Sequence, residues 1–115
     1  MSRAGFTYMI SNYERTVIYI GVTNNIYKRM LDYKNNLGGY FASKYKCKYL
    51  VYYENFQAIG DAIAREKQLK NWHKDWKWNL VKTNNPELND LSADWFTHDN
   101  QLKDPGLAIQ HLRGF

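Results

Sequence analysis

Two runs rich in β-branched and aromatic residues open the chain: 5–11 (Gly-Phe-Thr-Tyr-Met-Ile-Ser) and 16–22 (Thr-Val-Ile-Tyr-Ile-Gly-Val), with polar Asn12-Tyr13-Glu14-Arg15 between them. That pattern predicts a β-hairpin. A symmetric turn over 12–15 sets Tyr8 directly opposite Tyr19 on one face, with Cβ atoms about 5 Å apart. The loop has none of the Asn-Gly or Gly-X chemistry of a tight primed turn, so a bulge is able to change this register. Phe6, Ile10 and Val17 fall on one face and Met9, Ile18, Ile20 and Val22 on the other, so each face needs a cover, which helices supply.

Downstream the period changes from that of a strand to that of a helix. Asn24 or Asn25 caps a helix reaching about Leu37, with Ile26, Met30, Tyr33 and Leu37 as its inner stripe and Gly38-Gly39 as its stop. Arg29 stands at the edge of that stripe, one turn before Tyr33, so a guanidinium and a phenol share a flank. A short turn or helix around 39–45 leads to a third strand over 48–54, and a helix from Ala58 to about Asn71 follows, its apolar face made by Ile59, Ala62, Ile63 and Leu69. Glu66 falls near the middle of that face. A carboxylate turned inward is paired, protonated or bound to a cation, and Lys70, one turn on, is the simplest partner. A last helix is capped by Asp75, packs Trp76 and Leu80 inward and ends before Asn84-Asn85-Pro86. Trp95 and Phe96 either clip back onto the domain or offer a partner surface with Phe115, and a short helix over 106–112 follows the break at Asp104-Pro105-Gly106. This divides the chain into a domain over 1–92 and an acidic C-terminal extension over 93–115.

Composition narrows the class. The chain has 115 residues, 44% hydrophobic and 23% charged, which suits one folded domain rather than a disordered segment. No apolar run approaches the roughly 20 residues of a bilayer span and no basic-then-apolar leader opens the chain, so a soluble, cytoplasmic protein without a membrane partner is expected. The single cysteine, Cys47, forms no internal disulfide and anchors no CxxC-type zinc cluster. The net charge of +5 is unevenly spread. Residues 87–115 hold two basic and five acidic side chains, net −3, so the first 86 residues carry +8, and all ten tyrosines lie in that basic part. Basic charge interleaved with stackable rings suits a nucleic acid, with a solubilising coat as the plainer reading. Lys44, Lys46 and Lys48 alternate, so in an extended segment they share one side, either to follow phosphates or to protect a strand edge. Trp72, Trp76 and Trp78 interleave with Lys70, Lys74 and Lys77, which makes a stacking platform or simple core. His73 has no ligand-spaced companion and reads as a surface or cap residue.

These residues together resemble the GIY-YIG nucleases. Phe6-Thr7-Tyr8 stands where the family has Gly-Ile-Tyr, and Tyr19-Ile20-Gly21, eleven residues after Tyr8, matches the second half of the signature. Arg29 follows ten residues after Tyr19, and Tyr33 stands four further on, where relatives carry His or Tyr. Ala62-Ile63-Ala64-Arg65-Glu66-Lys67-Gln68-Leu69-Lys70 resembles the family's Glu-bearing helix, and Asn85-Pro86-Glu87 with Asp90-Leu91 is similar to the closing motif of the small single-domain branch. The departure is Phe6-Thr7 for Gly-Ile, where only strand geometry is required.

The resemblance implies an α+β fold, a three-stranded antiparallel sheet flanked by helices in the order β-β-α-β-α-α, and a metal-dependent endonuclease or nickase. By carry-over, Glu66 holds one Mg²⁺ (or Mn²⁺), Tyr8 is the general base, Tyr19 orients the water or phosphate, Arg29 fixes the scissile phosphate and Tyr33 supports Arg29 or the phosphate. A phenol with pKa about 10 is a poor base at neutral pH, so Arg29 is expected to lower it. Lys44, Lys46, Lys48, Lys70 and Lys74 are the candidate nucleic-acid contacts. The substrate implied is DNA, single-stranded, branched or duplex, cut by structure with little sequence preference, with RNA left open. The family also includes homodimers and members of repair assemblies. The alternative is a catalytically inactive nucleic-acid-binding module of the same fold.

Overall fold

The computed structural model describes residues 4–97 together with Gln101 and Lys103. The short helix expected over 106–112 and Phe115 lie outside the described residues. The elements run β1 (Gly5–Ser11), β2 (Ile18–Thr23), α1 (Ile26–Lys34), α2 (Tyr40–Tyr45), β3 (Tyr49–Phe56), α3 (Ile59–Lys70) and α4 (Lys74–Asn84), closed by a 3-10 turn at Ala93–Trp95. The strands form one antiparallel sheet in the order β2-β1-β3, with helices on both faces, the α+β architecture expected.

The hairpin register differs from the symmetric expectation. Ser11 pairs with Ile18, Ile10 with Tyr19 and Tyr8 with Gly21, so the loop runs over 12–17 and Tyr8 does not oppose Tyr19. Asn12 is the cause. Its side-chain oxygen accepts the backbone N–H groups of Thr16 and Val17, both at 2.9 Å, taking two donors that a shorter turn would have used in the ladder. Arg15 adopts a left-handed conformation, φ 60°, and its guanidinium binds the carbonyls of Asn12, Tyr13 and Leu88. Between β1 and β3, Met9 pairs with Tyr52 but Ile10 with Leu50, so Val51 is a bulge. Its carbonyl is taken by the Asn85 amide at 3.0 Å.

Strand alternation makes two cores. Phe6, Tyr8, Ile10 and Leu50 pack with Ile26, Met30 and Tyr33 of α1, Ala42 of α2 and Phe96. Met9, Ile20, Val51 and Tyr52 pack with Leu69 of α3 and Val81 of α4. Trp95 and Phe96 do clip back, with the Trp95 ring 4.6 Å from that of Tyr27.

Three helix details depart from expectation. α1 stops at Lys34, before Gly38-Gly39, because Asn36 enters the left-handed region at φ 62° and Leu37 N–H returns to the Asp32 carbonyl at 2.7 Å. This closure by Asn36 leaves Leu37 71% exposed and off the inner stripe. In α3, Ile63 also stays exposed. α4 begins after His73 rather than at an Asp75 cap, and its inward residue is Val81. Trp76, five residues earlier and so about 140° round the helix, is 54% exposed, while Trp72, Trp78 and Leu80 pack against the core. Beyond α4, Asp90 fastens the chain to β3 and α1. Its carboxylate accepts Leu50 N–H at 3.0 Å, Ser92 Oγ–H at 2.7 Å and Lys34 Nζ at 2.5 Å.

Candidate active site

The shifted register decides what surrounds Tyr8. It stands opposite Gly21, and its ring lies across that glycine: a Cβ at position 21 would sit 2.3 Å from the Tyr8 hydroxyl. Gly21 therefore makes room for the Tyr8 ring. Tyr33, one helical turn after Arg29, reaches the same point from α1. The Tyr8 and Tyr33 hydroxyls are 2.6 Å apart, and Arg29 Nη1 donates to Tyr8 Oη at 3.5 Å. Gly38 fits against the Tyr33 ring, where a Cβ would come within 2.0 Å.

Charge balance in this cluster runs against the expectation for Tyr8. Burial pushes its phenol far above the ordinary range and Tyr33 adds to the rise. Arg29 pulls the other way without prevailing. Burial likewise raises Tyr33 against the opposing hydrogen bonds of Tyr8 and Arg29. Burial alone would lower Arg29, but the two phenols outweigh it and keep the guanidinium charged. The expected lowering of Tyr8 fails because an arginine still half open to solvent offsets less than the loss of hydration around a buried phenol. At neutral pH the cluster is two neutral hydroxyls beside one fixed cation.

Tyr19 faces the same side of the sheet from the edge strand β2, half-buried, two positions from Gly21. Its ring stacks on Phe41 of α2, with centroids 5.4 Å apart and 29° between planes. Glu66 reaches the edge from the opposite face. Ala62 and Leu69 bury against the sheet and Arg65 turns to Glu54 of β3 at 2.8 Å, so the 100° helical step places Glu66 on the flank of α3 toward β2. Its side chain is 16% exposed, with Lys70 Nζ at 3.6 Å. No hydrogen bond or ion pair joins Glu66 to the Tyr8, Tyr33 and Arg29 cluster among the described residues.

Among those residues no three His, Cys, Asp or Glu side chains gather as a metal cage. The donor set still fits one kind of ion. A single, partly accessible carboxylate paired, among the described residues, with a loosely held lysine suits a hard cation such as Mg²⁺, which keeps several waters and takes few protein ligands.

The lysines are arranged differently from expectation. Lys44 lies in the last turn of α2, Lys46 is its left-handed cap at φ 56°, and Lys48 follows in the loop, so the segment is not extended and the three do not share one side by alternation. Lys74 Nζ binds the Thr16 carbonyl at 2.8 Å beside the hairpin turn. What the sequence reading missed is the face of α2, where Tyr40, Phe41 and Tyr45 are all exposed. The signal was available in Tyr40-Phe41-Ala42-Ser43-Lys44-Tyr45, whose one small apolar residue, Ala42, is all the helix needs for packing.

A family model described as the GIY-YIG catalytic domain matches residues 4–79, well over half of the chain and every element from β1 to the middle of α4. No curated protein and no solved structure matches it. With the sheet, the tyrosine pair over Gly21 and this match in hand, the chain belongs to the GIY-YIG nuclease family.

Proposed function

We propose that this domain is an active endonuclease or nickase that hydrolyses phosphodiester bonds in DNA with the help of one divalent cation, directed by substrate structure rather than by sequence. The observation that carries the reading is the cluster of Tyr8, Tyr33 and Arg29 packed over Gly21 in a chain that belongs to a nuclease family. Arg29 is charged and partly exposed, so it receives a phosphate oxygen through paired N–H bonds and stabilises the charge that grows on it. Tyr19, at the accessible edge, holds the water or the phosphate in line.

Tyr8 accepts the proton of the attacking water. Because it is held neutral, it does so while passing its own proton along the 2.6 Å bond to Tyr33, and Tyr33 hands its own to the phosphate that Arg29 holds. Such a relay moves one proton from water to phosphate without a free phenolate, and that proton passes on to the leaving oxygen as its bond to phosphorus breaks. Glu66 would hold the cation, Mg²⁺ or Mn²⁺, and that cation would supply positive charge for the phosphoryl and leaving oxygens. Lys44, Lys46, Lys48, Lys70 and Lys74 provide backbone attraction that carries no base information.

A binder that does not cut is the second reading, favoured by the complete burial of Tyr8 and by Lys70 beside Glu66. Relaxation of supercoiled plasmid separates the two. Wild type is expected to nick in Mg²⁺ or Mn²⁺ but not in EDTA, with Glu66→Ala losing at least about 100-fold. Metal-independent nicking, or equal nicking by the variant, removes the proposed role of Glu66. Sequenced cut sites from a random library are expected to show no strict consensus.

A further inference from the structure

Helix α2 carries more aromatic surface than its packing explains. It buries only Ala42, yet presents Tyr40, 80% exposed, with Phe41 and Tyr45 beside it. Rings left in water at this density cost hydrophobic free energy unless something covers them. They form one connected surface. Tyr19 stacks on Phe41, and Phe41 lies 4.6 Å from Tyr45. Lys44 sits 5.3 Å from the Tyr45 ring and 5.7 Å from that of Tyr40. Tyr40 and Lys44 also line a groove of 520 Å³ with Leu37 and Ser43.

The charge around this surface is mostly positive. No acidic residue stands between Asp32 and Glu54, a stretch holding Lys34, Lys44, Lys46 and Lys48. Glu14 is the acid that faces it, across the hollow shared by Tyr45, Lys46 and Lys48. Flat rings with cations at their borders match a strand that offers bases and phosphates together. A paired duplex keeps its base faces stacked on one another and unavailable, so the match is to unpaired bases.

We propose that α2 is a stacking platform for unpaired bases of the strand whose phosphate lies at Arg29 and Tyr19, so that the protein selects single-stranded or frayed nucleic acid over continuous duplex. The proposal rests on the phosphodiester reading for its placement of the strand. Its physical basis is continuity, since Tyr19 belongs both to the candidate site and to the ring surface.

The test is binding in EDTA, where cutting does not enter. A single-stranded DNA oligonucleotide carrying 2-aminopurine and a duplex of the same length are titrated with wild type, with Tyr40→Ala/Tyr45→Ala and with Trp76→Ala, a control ring on α4. Wild type should prefer the single strand and quench the fluorescent base. The double variant should bind the single strand roughly 10- to 100-fold more weakly, with duplex binding little changed, while Trp76→Ala behaves as wild type. An unchanged thermal midpoint shows that the double variant is folded. Equal binding by wild type and double variant, or loss on changing Trp76 instead, overturns the platform. A wild-type dimer in sedimentation that the double variant abolishes, with single-strand binding intact, also overturns it and assigns the face to a second copy. Single-strand preference without any metal-dependent cutting sinks the nuclease reading and leaves the platform standing.

Discussion

The candidate site turns on a steric relation between two residues that the sequence spaces thirteen apart. Tyr8 needs the volume over Gly21, and its hydroxyl is held at the far end by Tyr33, so it has no cheap way to move. Gly21→Ala should therefore destabilise the domain by about 1–3 kcal/mol through overpacking. The same change made in a Tyr8→Ala background should cost close to nothing, because the obstructing ring is gone. Denaturant melts of the four proteins in this double-mutant cycle measure the coupling, and an equal penalty in both backgrounds would mean that Gly21 serves some other need. The glycine itself was legible from the Tyr19-Ile20-Gly21 triplet. Its partner was not, because the register depends on the Asn12 side chain capturing two backbone donors, and a pattern of apolar positions carries no record of which donors a side chain takes.

At the scale of elements, strands and helices were legible wherever their periodicity was strong, as in β1, β3, α1 and α3. Helix ends and inner stripes were less so. α1 ended on Asn36 rather than on the two glycines, since an asparagine in the left-handed region closes a helix as well. α4 turned Val81 inward and Trp76 out, because a ring-rich helix offers more than one apolar stripe and packing on the bulge at Val51 chooses among them. The closing segment is held by a charged group. Burial alone would raise the Asp90 carboxyl, but Lys34 and Ser92 outweigh it and hold it below the ordinary carboxylate range. A depressed carboxyl contributes stability that is complete above its unfolded pKa of about 3.9 and is lost as pH falls through its lower folded value. Asp90→Ala should thus cost about 2–4 kcal/mol at pH 7, and the gap to wild type should narrow at pH 3. Urea melts at the two pH values check it. A gap that stays constant would mean that Asp90 acts through packing rather than charge.

Across the whole molecule, one basic segment carries the signature tyrosines, Arg29, Glu66 and the exposed rings of α2, whereas the acidic balance lies after residue 86. Among the described residues no helix is long and apolar enough to cross a membrane. Attraction to a polyanion should then dominate affinity and fall with salt. Replacing Lys44, Lys46 and Lys48 by alanine should reduce the slope of log K against log salt by about two for single strands, with little effect on which sequences bind. An unchanged slope would place the phosphate path elsewhere. Whether Tyr8 works in chemistry or in binding is decided by single-turnover cutting of labelled single-stranded DNA in Mg²⁺ by wild type and Tyr8→Phe, at saturating protein. With Tyr8 in the proton relay, wild type should cut in a metal-dependent way and Tyr8→Phe should lose at least about 100-fold, with DNA affinity unchanged. Cutting at the same rate by both, or by neither while both bind, would contradict it.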